Sequence, residues 1–338
     1  MRVLEIATDA PPYKGGISRL VGVLVEGLRK NGVHVDVKVP KRRIGEFKPT
    51  VTALKKYEGY DVIHIHGPTP FLSDVALLMN DNPIIYTHHA EVNWLSENLS
   101  YLYRRFHRFL ACKKAQIIVI HSHEYAGLFK RAHVEVIRPP VTFQSPKNFQ
   151  PHMRVKRPFT VIYVGQFRAF KGIDVLIKTA SILRDVQFIL VGEGSLKPKF
   201  RRLVNHLHLK NTVFEDSVDD RKLQALYELS HVICLPSINT TEAYGLVLIE
   251  GASHGCVPIA SNLIGVRENL RLLGGLTFSC GSHKELANLI RELKVDSEKW
   301  LRLSTQTHKL ANEYIEKYNP EYYVQRHMEL FQSITQHR

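Results

Sequence analysis

The sequence has no run of eighteen or more apolar residues, the length a bilayer-spanning helix needs, although 44% of its 338 residues are hydrophobic. It also lacks a basic n-region followed by an apolar stretch. Met1-Arg-Val-Leu-Glu-Ile-Ala-Thr8 has the composition of a first β-strand and not of a signal peptide. A cytoplasmic protein is the resulting expectation, and the sequons at Asn98 and Asn239 are then unused. Cysteine is scarce: Cys112, Cys234, Cys256 and Cys280 stand at long, irregular spacings with no C-x-x-C pair, which argues against a disulfide framework and against a thiolate zinc site. Acidic residues are in deficit, 32 against 46 basic ones, for a net charge of +14. The excess is spread, 21 basic to 13 acidic in residues 1–150 and 25 to 19 in the remainder. Such a balance invites an anionic partner. No helix-turn-helix, zinc-finger or RNP-type signature accompanies it, so nucleic acid is set aside in favour of a phosphorylated ligand or a membrane surface.

Short β-branched apolar runs alternate with helical patterns along the whole chain. Six runs, Val3–Thr8, Val33–Val39, Val62–Ile65, Ile84–Thr87, Ile117–Ile120 and Val134–Ile137, precede a proline-rich stretch from Pro139 to Pro158. Six more follow it: Thr160–Val164, Gln187–Val191, Asn211–Phe214, His231–Leu235, Cys256–Ala260 and Leu276–Ser279. This pattern predicts an α/β fold with two parallel sheets covered by helices, and a length of 338 residues suits two domains. The linker sets the boundary at 1–150 and 151–318, with a helical tail beyond. Ligands of such sheets bind at the carboxyl ends of the strands.

The stretch Asn239-Thr-Thr-Glu-Ala-Tyr-Gly-Leu-Val-Leu-Ile-Glu-Gly-Ala-Ser-His-Gly255 carries the clearest chemistry. Glu242 falls in a strand-to-helix loop and Glu250 about two turns into a short helix starting at Gly245. Were both helical, eight positions would separate them by about 12 Å, too far for paired carboxylates acting on one glycosidic bond, which stand ~5 to 9.5 Å apart. They suit the two ends of an elongated ligand instead. The helix start at Gly245, Leu246 and Val247 offers an anion site between them, since first-turn amides have no intrahelical acceptor. A nucleotide sugar, hydroxyl-rich at both ends and phosphate-bridged, has that layout.

Other strand ends add weaker signals. Gly165-Gln-Phe-Arg-Ala-Phe-Lys-Gly172 places Arg168 and Lys171 where both can meet a diphosphate. Gly15-Gly16 opens a helix and is not the G-x-G-x-x-G dinucleotide fingerprint. His64-Ile-His66, His88-His89 and His121-Ser-His123 close three strands. With no carboxylate or thiol at helpful spacing a metal cluster is not expected, and His89 is the candidate to touch a substrate hydroxyl. A helix over about Glu91 to Lys114 carries Trp94, Leu95, Leu99, Leu102, Phe106 and Phe109 with Arg104, Arg105, Arg108, Lys113 and Lys114. It admits two readings, a packed helix with a solvated basic face or a helix lying on anionic lipid. Lys41-Arg42-Arg43 is a second basic cluster.

Taken in order, Gly15-Gly16, His89, Gly165 to Lys171-Gly172, Gly192-Glu-Gly194, Pro236-Ser237, Glu242 to Glu250, Gly255-Cys-Val-Pro258 and Gly265-Val-Arg-Glu268 resemble the family 4 glycosyltransferases. The resemblance implies a GT-B fold, two Rossmann-like domains facing across a cleft, with helix 319–338 packing back on the first. It implies transfer with retention from a nucleotide sugar, a UDP-sugar or secondarily a GDP-sugar, to a glycan or lipid-linked acceptor, with no metal or other cofactor. By position, Glu250 would bind the ribose hydroxyls and Glu242 a hydroxyl of the transferred sugar. Backbone at Ala243, Tyr244, Gly245 and Leu246, with Gly165, Arg168 and Lys171, would neutralise the diphosphate. Gly15 and Gly16 would approach the phosphates or acceptor, and His89 the sugar. Two positions depart from the family pattern: Asp216 stands where glycine is common and Pro140 where asparagine is. A noncatalytic nucleotide-sugar-binding subunit of a membrane complex is the alternative, and an isomerase of the same fold is disfavoured.

Overall fold

The structure is a computed structural model that describes residues 1–12, 15–40, 56–93, 96–143, 145–146 and 148–336. Lys41-Arg42-Arg43, Trp94 and Leu95 lie outside the described residues. The chain divides into two compact units, Met1–Thr142 with Lys317–Arg338, and Phe143–Glu316. Phe143 and Phe149, assigned from the linker to the first domain, belong to the second unit. Phe143 packs edge-on to Tyr227, and Phe149 stacks on His308 with centroids 3.8 Å apart.

In the first unit, strands β1 (Arg2–Ile6), β2 (His34–Lys38), β3 (Val62–Gly67), β4 (Ile84–His88), β5 (Ile117–Ile120) and β6 (Val134–Val136) form one parallel sheet in the order β2-β1-β3-β4-β5-β6. All six residues of β3 are buried, as expected for a strand covered on both faces. Helix α1 (Gly16–Lys30) buries Leu20, Val21, Leu24, Val25 and Leu28 as one stripe. Helices α2 (Ser73–Met79) and α3 (Glu97–Lys114) lie together. Helix α3 starts six residues later than the sequence pattern suggested, because Glu91 is held in the preceding loop by buried charge contacts described below.

In the second unit, β7 (Thr160–Val164), β8 (Gln187–Val191), β9 (Thr212–Glu215), β10 (Val232–Leu235), β11 (Val257–Ser261) and β12 (Leu276–Phe278) form a parallel sheet ordered β12-β11-β10-β7-β8-β9. Helices α4 (Ile173–Ile182), α5 (Lys197–His206), α6 (Asp220–Leu229), α7 (Leu246–Ser253), α8 (Val266–Leu273), α9 (His283–Val295) and α10 (Ser297–Lys317) connect and extend it. Strand order reverses between β1 and β3 in the first sheet and between β7 and β10 in the second. Those two points are where open α/β sheets leave a crevice at their carboxyl ends.

Helix α11 (Pro320–Thr335) opens with Pro320, and the Asn319 side chain accepts the Tyr322 backbone N–H at 2.8 Å. It buries Tyr323, Val324, Leu330 and Phe331 in the core that holds Val3 and Ile85. Its contact with α1 is close enough that a Cβ on Gly27 would stand 2.3 Å from Val324 Cγ2. The C-terminal helix thus completes the first unit, each fully buried Leu or Phe contributing about 1.5–3 kcal/mol.

Candidate functional site

The β7/β10 switch point gathers the charged residues of the second unit. The loops after these strands are joined by a backbone hydrogen bond from Ile238 N to Phe170 O at 2.8 Å. They approach so closely at Gly172 (φ 63) that a Cβ there would lie 1.9 Å from the Pro236 carbonyl oxygen, so only glycine serves. Lys171 Nζ then donates to Glu242 Oε2 at 2.7 Å, and Ser237 Oγ donates to the same oxygen at 2.8 Å. Glu242 is buried. An ammonium carries three donors, so Lys171 keeps capacity for an anion while holding Glu242. Arg168 is exposed on the same turn. The Tyr163 hydroxyl donates to Gln166 O at 3.0 Å and steadies the turn. Burial, and then the Glu242 charge, hold that phenol well above its ordinary pKa.

Gly245 takes a left-handed conformation (φ 75) immediately before α7, turning the chain so that the amides of the first helical turn end the loop. Asn269 Nδ2 donates to Tyr244 O at 2.8 Å and fixes that turn from α8. Glu250 is 3% exposed and accepts from the Tyr227 hydroxyl at 3.3 Å. A buried carboxylate on α7 and a buried carboxylate in the loop before it are therefore built into one unit with a helix start between them. Ser237, Tyr163 and Asn269 were not singled out by the sequence as site residues; the Pro236-Ser237 pair was the signal that could have found the first. Asp216, noted as a departure from pattern, pairs with Lys197, whose ammonium also donates to Gly192 O at 3.0 Å.

At the β1/β3 switch point of the first unit stands a different arrangement. Glu5 is opposite His64 in the strand register, and the side chains of Glu5, His64 and His66 are fully buried. His66 Nε2 lies 2.8 Å from Glu5 Oε2, and His66 Nδ1 lies 2.9 Å from His89 Nε2. His89 Nδ1 is 3.2 Å from His121 Nε2, and His121 Nδ1 is 2.9 Å from Ile137 O. His64 Nδ1 sits 2.9 Å from Glu5 Oε2, off line for a hydrogen bond, while its Nε2 is 2.7 Å from Thr87 Oγ1. Burial works against ionising Glu5, yet His64 and His66 together hold its carboxyl below the usual carboxylate range. The sequence offered no acid for this histidine group, and β1 supplies one. Glu5, His64 and His66 present one ligand-type atom each within 4.8 Å of one another, a spacing their own contacts to one carboxylate oxygen account for. His89, expected to face a sugar hydroxyl, has both ring nitrogens within the buried row and is 3% exposed. Gly15 and Gly16 open α1, and among the described residues no atom beyond their chain neighbours and the helix's own backbone lies within 4 Å of a Cβ placed on either.

On the other face, His107 of α3 contacts Asp74 and lies 3.0 Å from the Tyr86 hydroxyl. Glu91 lies within 3.4–3.6 Å of His88, Arg104 and Arg108. With these polar residues turned inward, α3 leaves Leu99, Leu102, Phe106 and Phe109 50–65% exposed. Helix α3 is packed, through Ser100, His107, Leu110 and Ala111, but its facing is the reverse of the packed-helix reading: the apolar stripe points out while Arg104 and Arg108 are mostly covered. No helix among the described residues is long and apolar enough to cross a membrane.

Two family profiles match this chain, "Glycosyltransferase Family 4" over residues 38–144 and "Glycosyl transferases group 1" over residues 144–310. The chain belongs to the family 4, group 1 glycosyltransferases, has the GT-B fold and is a transferase enzyme. It is 26% identical over 289 residues to O-antigen chain mannosyltransferase C of Escherichia coli, covering 75% of this chain and 77% of that one. It is 27% identical over 286 residues to the phosphatidyl-myo-inositol mannosyltransferase of Mycobacterium tuberculosis, covering 80% and 71%. Over 216 residues it is 30% identical to D-rhamnosyltransferase WbpZ of Pseudomonas aeruginosa, covering 61% and 56%. Among solved structures, sucrose-phosphate synthase of Thermosynechococcus elongatus superposes over the full length of both chains with a TM-score of 0.77 at 19% identity. HepE of Anabaena, in complex with UDP, superposes with a TM-score of 0.73 at 19% identity over 98% of this chain and all of that one.

Proposed function

We propose that this chain transfers a hexose-type sugar, with retention of configuration, from a nucleoside-diphosphate sugar to a hydroxyl of a glycan or lipid-linked acceptor. The observation carrying the donor half is the Lys171–Glu242–Ser237 group at the β7/β10 switch point, next to the α7 start and the buried Glu250. In this reading Glu242 accepts from a sugar hydroxyl, and Glu250 accepts from the ribose. Lys171, Arg168 and the first-turn amides at Gly245 and Leu246 meet the diphosphate, supplying the charge stabilisation a divalent ion would otherwise give. No metal or other cofactor is called for. The relatives named as mannosyl- and rhamnosyltransferases support a hexose-type sugar, and the UDP-bound neighbour supports a UDP-sugar ahead of a GDP-sugar.

The acceptor side is read from α3. Four large exposed apolar residues among Arg104, Arg105, Arg108, Lys113 and Lys114 suit the surface of an anionic membrane, on the cytoplasmic face, where a lipid-linked acceptor would be held. A panel of UDP-, GDP- and ADP-sugars incubated with a lipid and glycan extract tests the proposal. Release of one nucleoside diphosphate with a matching mass increment on an acceptor supports it. No release with any donor, at a rate indistinguishable from Glu242→Ala, would sink it.

A further inference from the structure

We propose that Glu5, His66, His89 and His121 form one proton-sharing row in which a Glu5 carboxylate and a His66 imidazolium together lock the tautomer of His89. The row comprises four hydrogen-bond gaps of 2.8, 2.9, 3.2 and 2.9 Å, from Glu5 through the three rings to the Ile137 carbonyl. Both ends are acceptors. A neutral imidazole brings one N–H and one acceptor nitrogen, so three neutral rings and a carboxylate supply three protons for four gaps. One gap would then set two lone pairs against each other at hydrogen-bond distance between buried groups, an arrangement that costs a buried group its partner. One further proton closes the row.

Where that proton resides follows from the neighbours. The groups facing the row are Glu5 and His64 from the first and third strands, His88 from the fourth, and Tyr323 and His327 from α11. Among the described residues Glu5 is the one anion in direct contact with the row. Burial lowers the proton affinity of every ring, His66 included, taking His121 down to about 4 and His89 well below the ordinary range, and at His66 alone the hydrogen bond and charge of Glu5 work the other way. His66 alone of the three touches the carboxylate, so it is the ring that carries the charge. His66 then donates through Nε2 to Glu5 and through Nδ1 to His89 Nε2. His89 in turn donates through Nδ1 to His121, and His121 through Nδ1 to Ile137 O. Glu5 is in this sense a positioning residue: it acts on His89 through His66. The proton count rests on the geometry of the row alone and not on the proposed transfer reaction.

The test is imidazole nitrogen spectroscopy on the full-length protein labelled with ¹⁵N-histidine, at pH 7, with rings assigned by single substitutions. The expected pattern is His66 protonated on both nitrogens, and His89 and His121 as Nδ1–H tautomers. Glu5→Gln keeps the geometry, since its amide can donate to His66 Nε2, but removes the need for the extra proton. His66 should become neutral while His89 and His121 keep their tautomers. Should Glu5→Gln not fold, His121→Leu serves: two gaps remain for two neutral rings, and His66 should again lose its second proton. A neutral His66 in the wild-type protein, or stoichiometric zinc found by mass spectrometry in protein purified without chelator, would overturn the proposal. If no transfer is seen with any donor, the spectra still decide the proton count.

Discussion

The two sheets of this enzyme each place an acid at their switch point, and the two acids are in opposite circumstances. Glu242 follows β10, lies in a loop, and shares one oxygen between the flexible ammonium of Lys171 and the hydroxyl of Ser237. Glu5 lies within β1 and is enclosed by His64 and His66, with His327 nearby, leaving its Oε1 among the buried atoms with no partner. An acid in a loop over a helix start can exchange its partners for a ligand's hydroxyl. An acid inside a strand under α11 can exchange nothing without opening the core. Equivalent topology thus yields a binding residue in one unit and a structural charge in the other.

Glu5→Ala is the strongest way to break that comparison. It removes the counter-charge from two buried histidines, and loss of one partner from a buried pair costs about 3–5 kcal/mol. The urea midpoint of the first unit's transition should fall accordingly. Glu242→Ala should do the reverse: a loss of about 10²–10³-fold in kcat, the range for removing one preorganised polar contact to a transition state, with stability lowered by about 1–3 kcal/mol, the cost of leaving one polar partner unmatched, since the Lys171 side chain is the more exposed of the two. If Glu5→Ala leaves the midpoint in place, or if Glu242→Ala unfolds the protein, the two acids do not differ in kind.

The second unit has its own buried titrating groups, and they sharpen the contrast. Burial drives His231, stacked on Phe159 with centroids 4.5 Å apart, and His254 both down to about 4 from an ordinary 6.5. The unfolded chain therefore binds more protons than the folded one between about pH 6.5 and pH 4. Stability is complete above that window and falls as pH drops through it, by at most about 3 kcal/mol per histidine at the lower end. His231→Asn should flatten this acid slope in a pH series of thermal melts. An undiminished slope would place the acid sensitivity elsewhere, the first unit's histidine row being the next candidate.

Most of the fold could be read from the sequence because parallel strands buried on both faces are continuous β-branched runs. Thr160–Val164, Gln187–Val191 and Ile117–Ile120 come out with the same bounds in the structure. The helix that carries Glu250 was equally readable, since Gly245 and Gly255 punctuate it. What could not be read was register and facing. The contact of Glu5 with His66 joins residues 61 apart in sequence, and nothing in Leu4-Glu-Ile6 announces that β1 pairs with β3 in the register that opposes Glu5 to His64. The setting of His89 was hidden for the same reason: a histidine at a strand end looks available until the rings on either side are placed. The facing of α3 was hidden because Asp74, His107 and Tyr86 satisfy one another inside, which frees the apolar stripe to point outward.

That stripe supplies the last contrast, and the smallest expected effect. On the α-helices and strands of the second unit the exposed large apolar residues Ile182, Val213, Leu229 and Val295 stand one to an element. In the first unit Leu99, Leu102, Phe106 and Phe109 recur at three- and four-residue steps along one helix, with basic residues in its last turn. Membrane attraction of this kind has an apolar part and an electrostatic part, and only the second depends on anionic lipid. Lys113→Gln should therefore weaken sedimentation with phosphatidylserine-containing vesicles by about fivefold, from about 1 kcal/mol per basic residue, and leave the residual binding to neutral vesicles unchanged. Arg201→Gln, an exposed charge on α5 of the second unit, should have no effect in either. Equal losses from both substitutions would mean that net charge alone attracts the protein to lipid and that α3 is not a docking face.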